Sequence, residues 1–188
     1  TNAGGPGVIT TDEVSEHGLQ LAEFRDSTKR KLRQDLPDEA PDHNPVDVIG
    51  DAGHERYKNA LEAVMADEDV DAVIVILTPQ ANTEIDKTAK TIVKAVEESD
   101  KPVFASFIGE QDVQSGMEIL EEGHVPDFQD PVDAVKTLKA MNQYREFLET
   151  GRTLKEIEYD ESKAAAALND FSSFEEAEQL LEAYNFDL

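Results

Sequence analysis

The sequence of 188 residues contains no cysteine. That absence excludes disulfide bonds, thiolate metal sites and a cysteine nucleophile. The sequence also lacks any run of about 18 consecutive apolar residues and any basic segment leading into an apolar signal core, so neither a membrane span nor a secretory leader is predicted. We therefore expect a soluble protein of the cytoplasm, with no membrane partner.

Basic residues are scarce as well. Lys and Arg number 17 against 42 Asp and Glu, which gives a net charge of −25. Nucleic acid is not an expected partner, because phosphate binding needs the opposite sign. The acidic residues are spread along the whole chain, which favours a halophilic protein: at about 1 M salt the Debye length of about 3 Å screens carboxylates from one another. A specific cation-binding surface is the alternative.

The first third of the chain predicts two helices and one strand ahead of a long loop. The opening glycine-rich loop leads into a helix from about Pro6 to Glu16. "HGLQLAEF" gives a glycine stop and a short strand, and "DSTKRKLRQDLP" gives a helix capped by Asp26 or Ser27 that ends before Pro37. The segment "DEAPDHNPVDVIGD" is rich in turn formers and predicts a loop.

Beyond that loop, helical and strand patterns alternate strictly. Amphipathic helices are predicted from His54, from Ile85, around Met117, and from Pro131 to about Glu149. Continuous apolar runs in "DAVIVILTP" and "KPVFASFI" are typical of strands buried on both faces of a parallel sheet, and "HVPDF" adds a short edge strand. The alternation predicts an α/β fold, a flavodoxin-like doubly wound parallel sheet with a C-terminal helical extension.

The composition changes after Gly151. We predict one domain over residues 1–150, a linker over 151–170, and from 171 to 188 the start of a further, truncated domain. Its first helix would have Ser173 as cap and Glu175 and Glu176 in the first turn. Since the sequence stops where a strand is expected and starts abruptly, we expect it to be a fragment.

Ligands of doubly wound sheets bind beyond the carboxyl ends of the strands. The first loop of suitable composition runs from Asn2 to Gly7 and contains Gly4 and Gly5. Glycines let the main chain approach a ligand closely, and the following helix offers free N–H groups to an anion. GxGxxG spacing and the lysine of a Walker loop are both missing, so a small anion fits better than a nucleotide.

Two further loops are expected at the same edge. "NPVDVIGD" carries Asp47 between apolar residues, and "LTPQANT" follows a buried strand and supplies Thr78, Pro79 and Gln80. Turn chemistry alone explains each loop taken singly. Three such loops at one sheet edge indicate a binding site.

Reactive side chains are few. The four histidines are isolated, share no metal-ligand spacing and have no nucleophile pattern around them. We predict no catalytic residue and no metal site in this chain. It would bind and position, while another segment supplies the reactive group.

Taken together, the motifs resemble a known family. "TNAGGPGV", "NPVDVIGDAGHERY", "DAVIVILTPQA" and "KPVFASFIGE", in this order, resemble the NDP-forming acyl-CoA synthetases (acetate–CoA ligase, ADP-forming type). They are more distantly similar to the carboxyl-terminal domain of the succinyl-CoA synthetase β subunit. The resemblance covers about Thr1 to Glu149, and residues 171–188 are similar to the opening of the ATP-grasp domain that follows in single-chain members. It implies a ligase-CoA domain of succinyl-CoA synthetase type.

The resemblance implies a reaction in which acyl-CoA, phosphate and ADP interconvert with acid, CoA and ATP through an acyl phosphate and a phosphohistidine. That histidine, the CoA-binding domain and the ATP-grasp domain, with CoA, ATP or ADP and Mg, would belong to other segments or subunits of a homo-oligomeric enzyme. No cofactor would bind to this chain alone. The implied phosphohistidine-facing residues are Asn2, Gly4, Gly5 and Gly7. The implied residues for a small organic acid are Asp47, Thr78, Pro79 and Gln80.

Two other functions remain open at this stage. The same domain set also occurs fused to a protein lysine acetyltransferase, where the ligase part would only sense a metabolite. A stand-alone flavodoxin-like binding protein is the third possibility.

Overall fold

A computed structural model of the chain describes residues 1–150, 160–168, 177, 178, 180, 181 and 184. The chain divides into two compact units, Thr1–Gln143 and Tyr144–Leu188. The first unit contains the sheet and all of the predicted site residues. Within the described residues, no helix is long and apolar enough to cross a membrane.

The order of the elements in the first unit agrees in part with the prediction. In chain order the elements are α1 (Gly4–Glu16), α2 (Asp26–Asp35), α3 (His54–Met65), β1 (Val73–Leu77), α4 (Ile85–Glu97), β2 (Val103–Phe107), a 3-10 turn (Glu110–Val113), α5 (Gln114–Glu122) and α6 (Pro131–Thr150), which continues into the second unit. From α3 to α5 helices and strands alternate as predicted, whereas α1, α2 and α3 follow one another without a strand between them in the described residues 4–65. An eight-residue helix, α7 (Glu161–Leu168), follows in the second unit. The α/β class is confirmed.

The two strands are parallel, with Val73 opposite Val103 and Leu77 opposite Phe107. All five residues of β2 are buried, as are the last three of β1. A strand buried throughout needs cover on both faces, which explains the continuous apolar runs in the sequence. Because the strands are parallel, their carboxyl ends lie at the same edge of the sheet.

The predicted edge strand in "HVPDF" is reduced to one bridge. Ala105 pairs with Asp127 in parallel fashion, and its N–H and C=O bond to Pro126 and Phe128. The Asp127 carboxylate also accepts the Phe107 N–H at 3.0 Å. The Asp127 side chain therefore accepts the Phe107 N–H, which a backbone carbonyl would accept if the third strand were longer.

The strand predicted in "LQLAEF" was wrong. Gly18 ends α1 with φ +67°, as expected, but the described residues of the following segment form no ladder. Its one long-range backbone contact is the Ala22 carbonyl, which accepts the Asn44 amide at 2.8 Å. Of its apolar residues only Phe24 is fully buried. The alternating apolar pattern therefore reflects one buried residue, Phe24, and not the pairing of a strand.

The start of α2 is capped by a distant carboxylate instead of by Asp26 or Ser27. Arg25 occupies the N-cap position, and its N–H donates to Asp67 at 3.0 Å. Asp67 is only 2% exposed and also accepts the Asp69 N–H at 3.0 Å. Burial acts to raise the Asp67 pKa, but the hydrogen bonds from Thr28, Asp69 and Arg25 outweigh it, so the pKa lies below its ordinary value.

The carboxyl-terminal predictions are only partly covered by the described residues. Helix α7 lies inside the range predicted as a linker, so that range contains regular structure. Ser173, Glu175 and Glu176 lie outside the described residues. The boundaries at 150 and 170 stay predictions.

Candidate functional site

Asn2 joins the first loop to the third. Its side chain is 3% exposed and faces the residue that follows β1. Asn2 Nδ2 donates to the Thr78 carbonyl at 2.8 Å, and Asn2 Oδ1 accepts the Thr78 N–H at 2.9 Å and the Thr78 hydroxyl at 3.2 Å. These bonds span 76 residues of sequence and fix the start of α1 at the carboxyl end of β1.

Tyr57 of α3 also contacts the place where Asn2 meets the end of β1. Its hydroxyl donates to the Ile76 carbonyl at 3.0 Å and accepts a hydrogen bond from the Asn2 N–H. Burial raises the pKa of the Tyr57 hydroxyl well above its ordinary value, and the Asn2 N–H only partly opposes this shift. The phenol is therefore protonated at neutral pH and donates to the Ile76 carbonyl.

The glycine-rich segment is the first turn of α1 and not an open loop. The helix begins at Gly4, two residues earlier than predicted. The Ala3 N–H is satisfied by the Thr1 hydroxyl, and Pro6 has no N–H. The N–H groups of Gly4 and Gly5 have no partner within the described part of the chain. They form a free helix N-terminus.

The glycines of this turn differ in exposure and in the space around them. Both Gly4 and Gly5 are exposed, and a Cβ atom at Gly5 would meet nothing within 4 Å. Gly7 is buried, and a Cβ atom there would lie 3.1 Å from Thr1 and 3.7 Å from Pro45. The position of Gly7 fits close packing of the helix. Only the exposed Gly4 and Gly5 are therefore placed to donate to a ligand.

Asp47 lies beside the free N-terminus. Its Oδ1 accepts the Ile49 N–H at 2.8 Å, and its Oδ2 lies 3.6 Å from the position of a Cβ atom on Gly4. Ile49 has φ +70°, a conformation that is strained for a β-branched residue. The loop is fixed to the start of the chain, since the Val48 N–H donates to the Thr1 carbonyl at 2.8 Å.

The loop after β1 is supported by a residue that the sequence reasoning missed. The Gln80 N–H donates to the Thr83 hydroxyl at 3.0 Å, and the Gln80 side chain is exposed. A Cβ atom on Gly109, just beyond β2, would lie 2.7 Å from Pro79. Gly109 therefore allows the two loops to touch, and its signal was a glycine directly after a buried strand.

A second helix N-terminus at this edge is already filled. Glu84 Oε2 accepts the His54 N–H at 3.3 Å and approaches His54 Nδ1 at 2.6 Å, while Glu84 Oε1 pairs with Lys87 at 2.6 Å. The Lys87 and His54 hydrogen bonds lower the pKa of Glu84 to about 2. His54 looked isolated in the sequence because Glu84 is 30 residues away. Of these two N-termini, that of α1 keeps the N–H groups of Gly4 and Gly5 free within the described residues, while Glu84 occupies that of α3.

The arrangement presents groups of the kind that bind and orient a ligand. Two backbone N–H groups can donate to an anion, and the Asp47 carboxylate beside them can accept a hydrogen bond from a nitrogen donor such as an imidazole. Among the described residues, no group of three His, Asp or Glu side chains is arranged to hold a metal ion.

The fold is a parallel α/β domain of the doubly wound class, in which the carboxyl edge of the sheet is the usual place for ligands. The sequence matches the Ligase-CoA domain family over residues 1–146, and the chain belongs to that family.

Named relatives agree with this assignment. The chain is 36% identical to Acetate–CoA ligase [ADP-forming] I of Archaeoglobus fulgidus, over 84% of the chain and 22% of the relative. It is 30% identical to 4-hydroxybutyrate–CoA ligase [ADP-forming] of Nitrosopumilus maritimus, over 100% of the chain and 28% of the relative. The chain therefore spans less than a third of the length of either protein.

A solved structure shows the same fold. The dinucleotide forming Acetyl-coenzyme A synthetase 1 of Ca. Korarchaeum cryptofilum superposes with a TM-score of 0.71 and 28% identity, over 77% of this chain and 32% of that one. The resemblance inferred from the motifs is thus confirmed. These relatives are named as ligases and a synthetase, and none of them supports the lysine-acetyltransferase alternative.

Proposed function

We propose that this chain is the acyl- and phosphate-facing domain of an ADP-forming acyl-CoA synthetase. The observation that carries the proposal is the free N-terminus of α1, clamped through Asn2 to the loop after β1 and placed beside Asp47. The reaction would interconvert acyl-CoA, phosphate and ADP with acid, CoA and ATP through an acyl phosphate and a phosphohistidine. The names of the two ligase relatives support this reaction.

Gly4 and Gly5 would donate their N–H groups to the phosphoryl oxygens of a histidine supplied by another segment. A helix N-terminus stabilises a nearby negative charge by typically 0.3 to 1 kcal/mol, and more when the site is partly buried. In a chain of net charge −25, backbone donors hold an anion without adding lysines to the surface. Asp47 would accept the N–H of the imidazole and so orient the ring.

Thr78, Pro79 and Gln80 would hold the organic acid. The Thr78 backbone is committed to Asn2, and Pro79 packs on Gly109, so these two residues shape the loop. The exposed Gln80 amide is the group of this loop that can still donate to a carboxylate. The chain is similar to relatives named for acetate and for 4-hydroxybutyrate. The proposal therefore includes acids as short as acetate and as long as 4-hydroxybutyrate.

The remaining parts of the proposal concern the complete enzyme. CoA, nucleotide and Mg would be bound by CoA-binding and ATP-grasp domains or subunits, in a homo-oligomer in the cytoplasm. No described residue of this chain is assigned to those ligands. One relative that supports separate subunits is Acetate–CoA ligase [ADP-forming] II subunit alpha of Pyrococcus furiosus, which is 36% identical over 76% of the chain.

A chimeric enzyme tests the function. The matched segment of the Archaeoglobus fulgidus ligase would be replaced by residues 1–146 of this chain. We expect the chimera to form ATP from acetyl-CoA, ADP and phosphate, and to incorporate labelled phosphate on a histidine. A chimera that folds and still binds CoA, but forms neither ATP nor phosphoenzyme, would contradict the proposal.

Gly5→Ala should separate function from stability. The new Cβ atom meets nothing within 4 Å, so we expect the unfolding free energy of the chain to rise by about 0.4 to 1 kcal/mol. In the chimera the methyl group would crowd the approaching phosphoryl group, and ATP formation should fall roughly tenfold. Gly18→Ala is the matched control: it is equally open but has φ +67°, so it should lose about 1 kcal/mol without changing the activity of folded enzyme.

Adaptation to concentrated salt is the last part of the proposal, supported by the net charge of −25 and by exposed carboxylates such as Asp38 and Glu39. Raising KCl from about 0.1 to about 2 M should raise the thermal midpoint, because it screens carboxylates from one another. Sucrose, which carries no charge, should give a smaller rise at equal osmolality. A midpoint that falls with KCl would contradict the adaptation.

A further inference from the structure

Glu84 opens α4, but its side chain serves another helix. It occupies the N-cap position of α4 and makes no side-chain cap hydrogen bond to that helix. A polar side chain at this position commonly accepts an N–H from the helix that it opens. Glu84 turns instead to α3, where its Oε2 accepts the His54 N–H at 3.3 Å and lies 2.6 Å from His54 Nδ1. The carboxylate therefore ties the loop before α4 to the start of α3.

The surroundings of Glu84 hold its carboxylate in this place. A Cβ atom on Gly53 would lie 2.9 Å from Glu84 Oε2, so the glycine leaves room for the contact. The hydrogen bonds from Lys87 and His54 lower the pKa of Glu84 to about 2. Because an ionised carboxylate only accepts hydrogen bonds, the proton of the His54 ring lies on Nδ1. The tie between the two residues is therefore present throughout the neutral pH range.

The residues just before Glu84 form a closed turn that contains Gln80. The Gln80 N–H donates to the Thr83 hydroxyl at 3.0 Å, and the Thr83 N–H donates to the Gln80 carbonyl at 3.0 Å. These reciprocal bonds hold the turn as one unit. Glu84 follows the turn directly, and Thr78 on its other side is fixed to Asn2. Gln80 therefore takes its position from an anchor on each side.

We propose that Glu84 and His54 are positioning residues that set where the Gln80 amide lies relative to the organic acid. The inference rests on the proposed function, which assigns the acid to the exposed Gln80 side chain. Neither positioning residue would touch the acid, since both act through the turn. Loss of the tie would displace Gln80 and leave the N–H groups of Gly4 and Gly5 in place. A misplacement of about 1 Å can cost roughly a hundredfold in rate.

Acid kinetics in the chimeric enzyme test this role. With ATP, CoA and acetate as substrates, Glu84→Ala should raise the KM for acetate roughly tenfold. Phosphoenzyme formation from ATP should not change, because in the proposed reaction the histidine takes the phosphoryl group from ATP before the acid takes part. Glu84→Gln keeps an acceptor oxygen for His54 and should restore most of the original KM. Lys87→Ala is the matched control, since it removes only the exposed pair with Glu84 Oε1 and should leave the KM unchanged.

Hydrogen exchange in the full chain measures the position of the turn without reference to the proposed function. The amide protons of Gln80 and Thr83 should exchange roughly tenfold faster in Glu84→Ala than in the original chain, and Lys87→Ala should have no effect. The Ala105 amide, which donates to the Pro126 carbonyl at the sheet, should be unchanged in both variants.

The outcomes separate positioning from capping. Unchanged exchange at Gln80 and Thr83 would overturn the proposal. An unchanged acetate KM together with a lower unfolding free energy would also overturn it, because Glu84 would then be only a cap of α3. A parent chimera that forms no phosphoenzyme would contradict the proposed function instead, and hydrogen exchange would still decide whether Glu84 positions Gln80.

Discussion

Replacing Asn2 by alanine should lower the unfolding free energy of the chain by about 3 kcal/mol. The substitution removes three hydrogen bonds of the buried Asn2 side chain and leaves the partly buried Thr78 N–H and carbonyl without these partners. Leaving a buried donor or acceptor unsatisfied costs about 1 to 3 kcal/mol each. Chemical denaturation at pH 7 would measure the loss.

Asn2→Ala should also detach the start of α1 from the loop after β1. Without the clamp, the N-terminus of α1 is no longer fixed to the loop after β1, so the chimeric enzyme should lose ATP formation even where it stays folded. Thr78→Val is the control, because it removes only the 3.2 Å hydroxyl contact and keeps both backbone bonds to Asn2. It should cost no more than about 1 kcal/mol. Equal effects of the two substitutions would show that the backbone bonds do not hold the site.

Asp67→Ala should be comparably destabilising, by about 3 kcal/mol, although Asp67 lies at the opposite end of β1 from the site. The substitution leaves the N–H groups of Arg25 and Asp69 and the Thr28 hydroxyl without their acceptor. Asp69→Ala is the matched control. It removes the exposed ion pair with Arg25 and should cost about 1 kcal/mol or less.

The Asp67 contribution should depend on pH with a definite sign. Because the pKa of Asp67 is lowered in the folded chain, its stabilising effect is complete above the ordinary value of 3.8 and is lost as pH falls through the folded value. The difference in unfolding free energy between the original chain and Asp67→Ala should therefore be constant from pH 7 to about 5 and shrink in more acidic solution. A difference that grows on acidification would contradict this account of the cap.

Much of the fold could be predicted because its signals are local. The apolar run of β2, the helical stripe of α4 and the proline that opens α6 each fix an element within a few residues. The meeting of the three loops also followed from the sequence, since parallel strands present their carboxyl ends at one edge. The structure brings Asn2 to Thr78 and Asp47 to Gly4. Their roles toward ligands stay predictions.

The misses have a common physical cause. Asp67 caps α2 from 42 residues away, and Glu84 fills the N-terminus of α3 from 30 residues away. Neither contact can be predicted from the residues near the helix that it caps. Conversely, the alternating residues of "LQLAEF" form no strand, because pairing depends on a neighbour that local pattern cannot supply. Long-range polar contacts therefore decided what the sequence pattern could not.

The claim that the N-terminus of α1 is a free anion site, and that of α3 is not, can be tested by nuclear magnetic resonance. The ¹⁵N-labelled chain would be titrated with inorganic phosphate in about 1 M KCl, where the net charge is screened. The account predicts saturable shifts of the Gly4 and Gly5 amide signals and none at His54, whose N-terminus Glu84 already fills. Shifts of equal size at His54, or no shifts at Gly4 and Gly5, would contradict it.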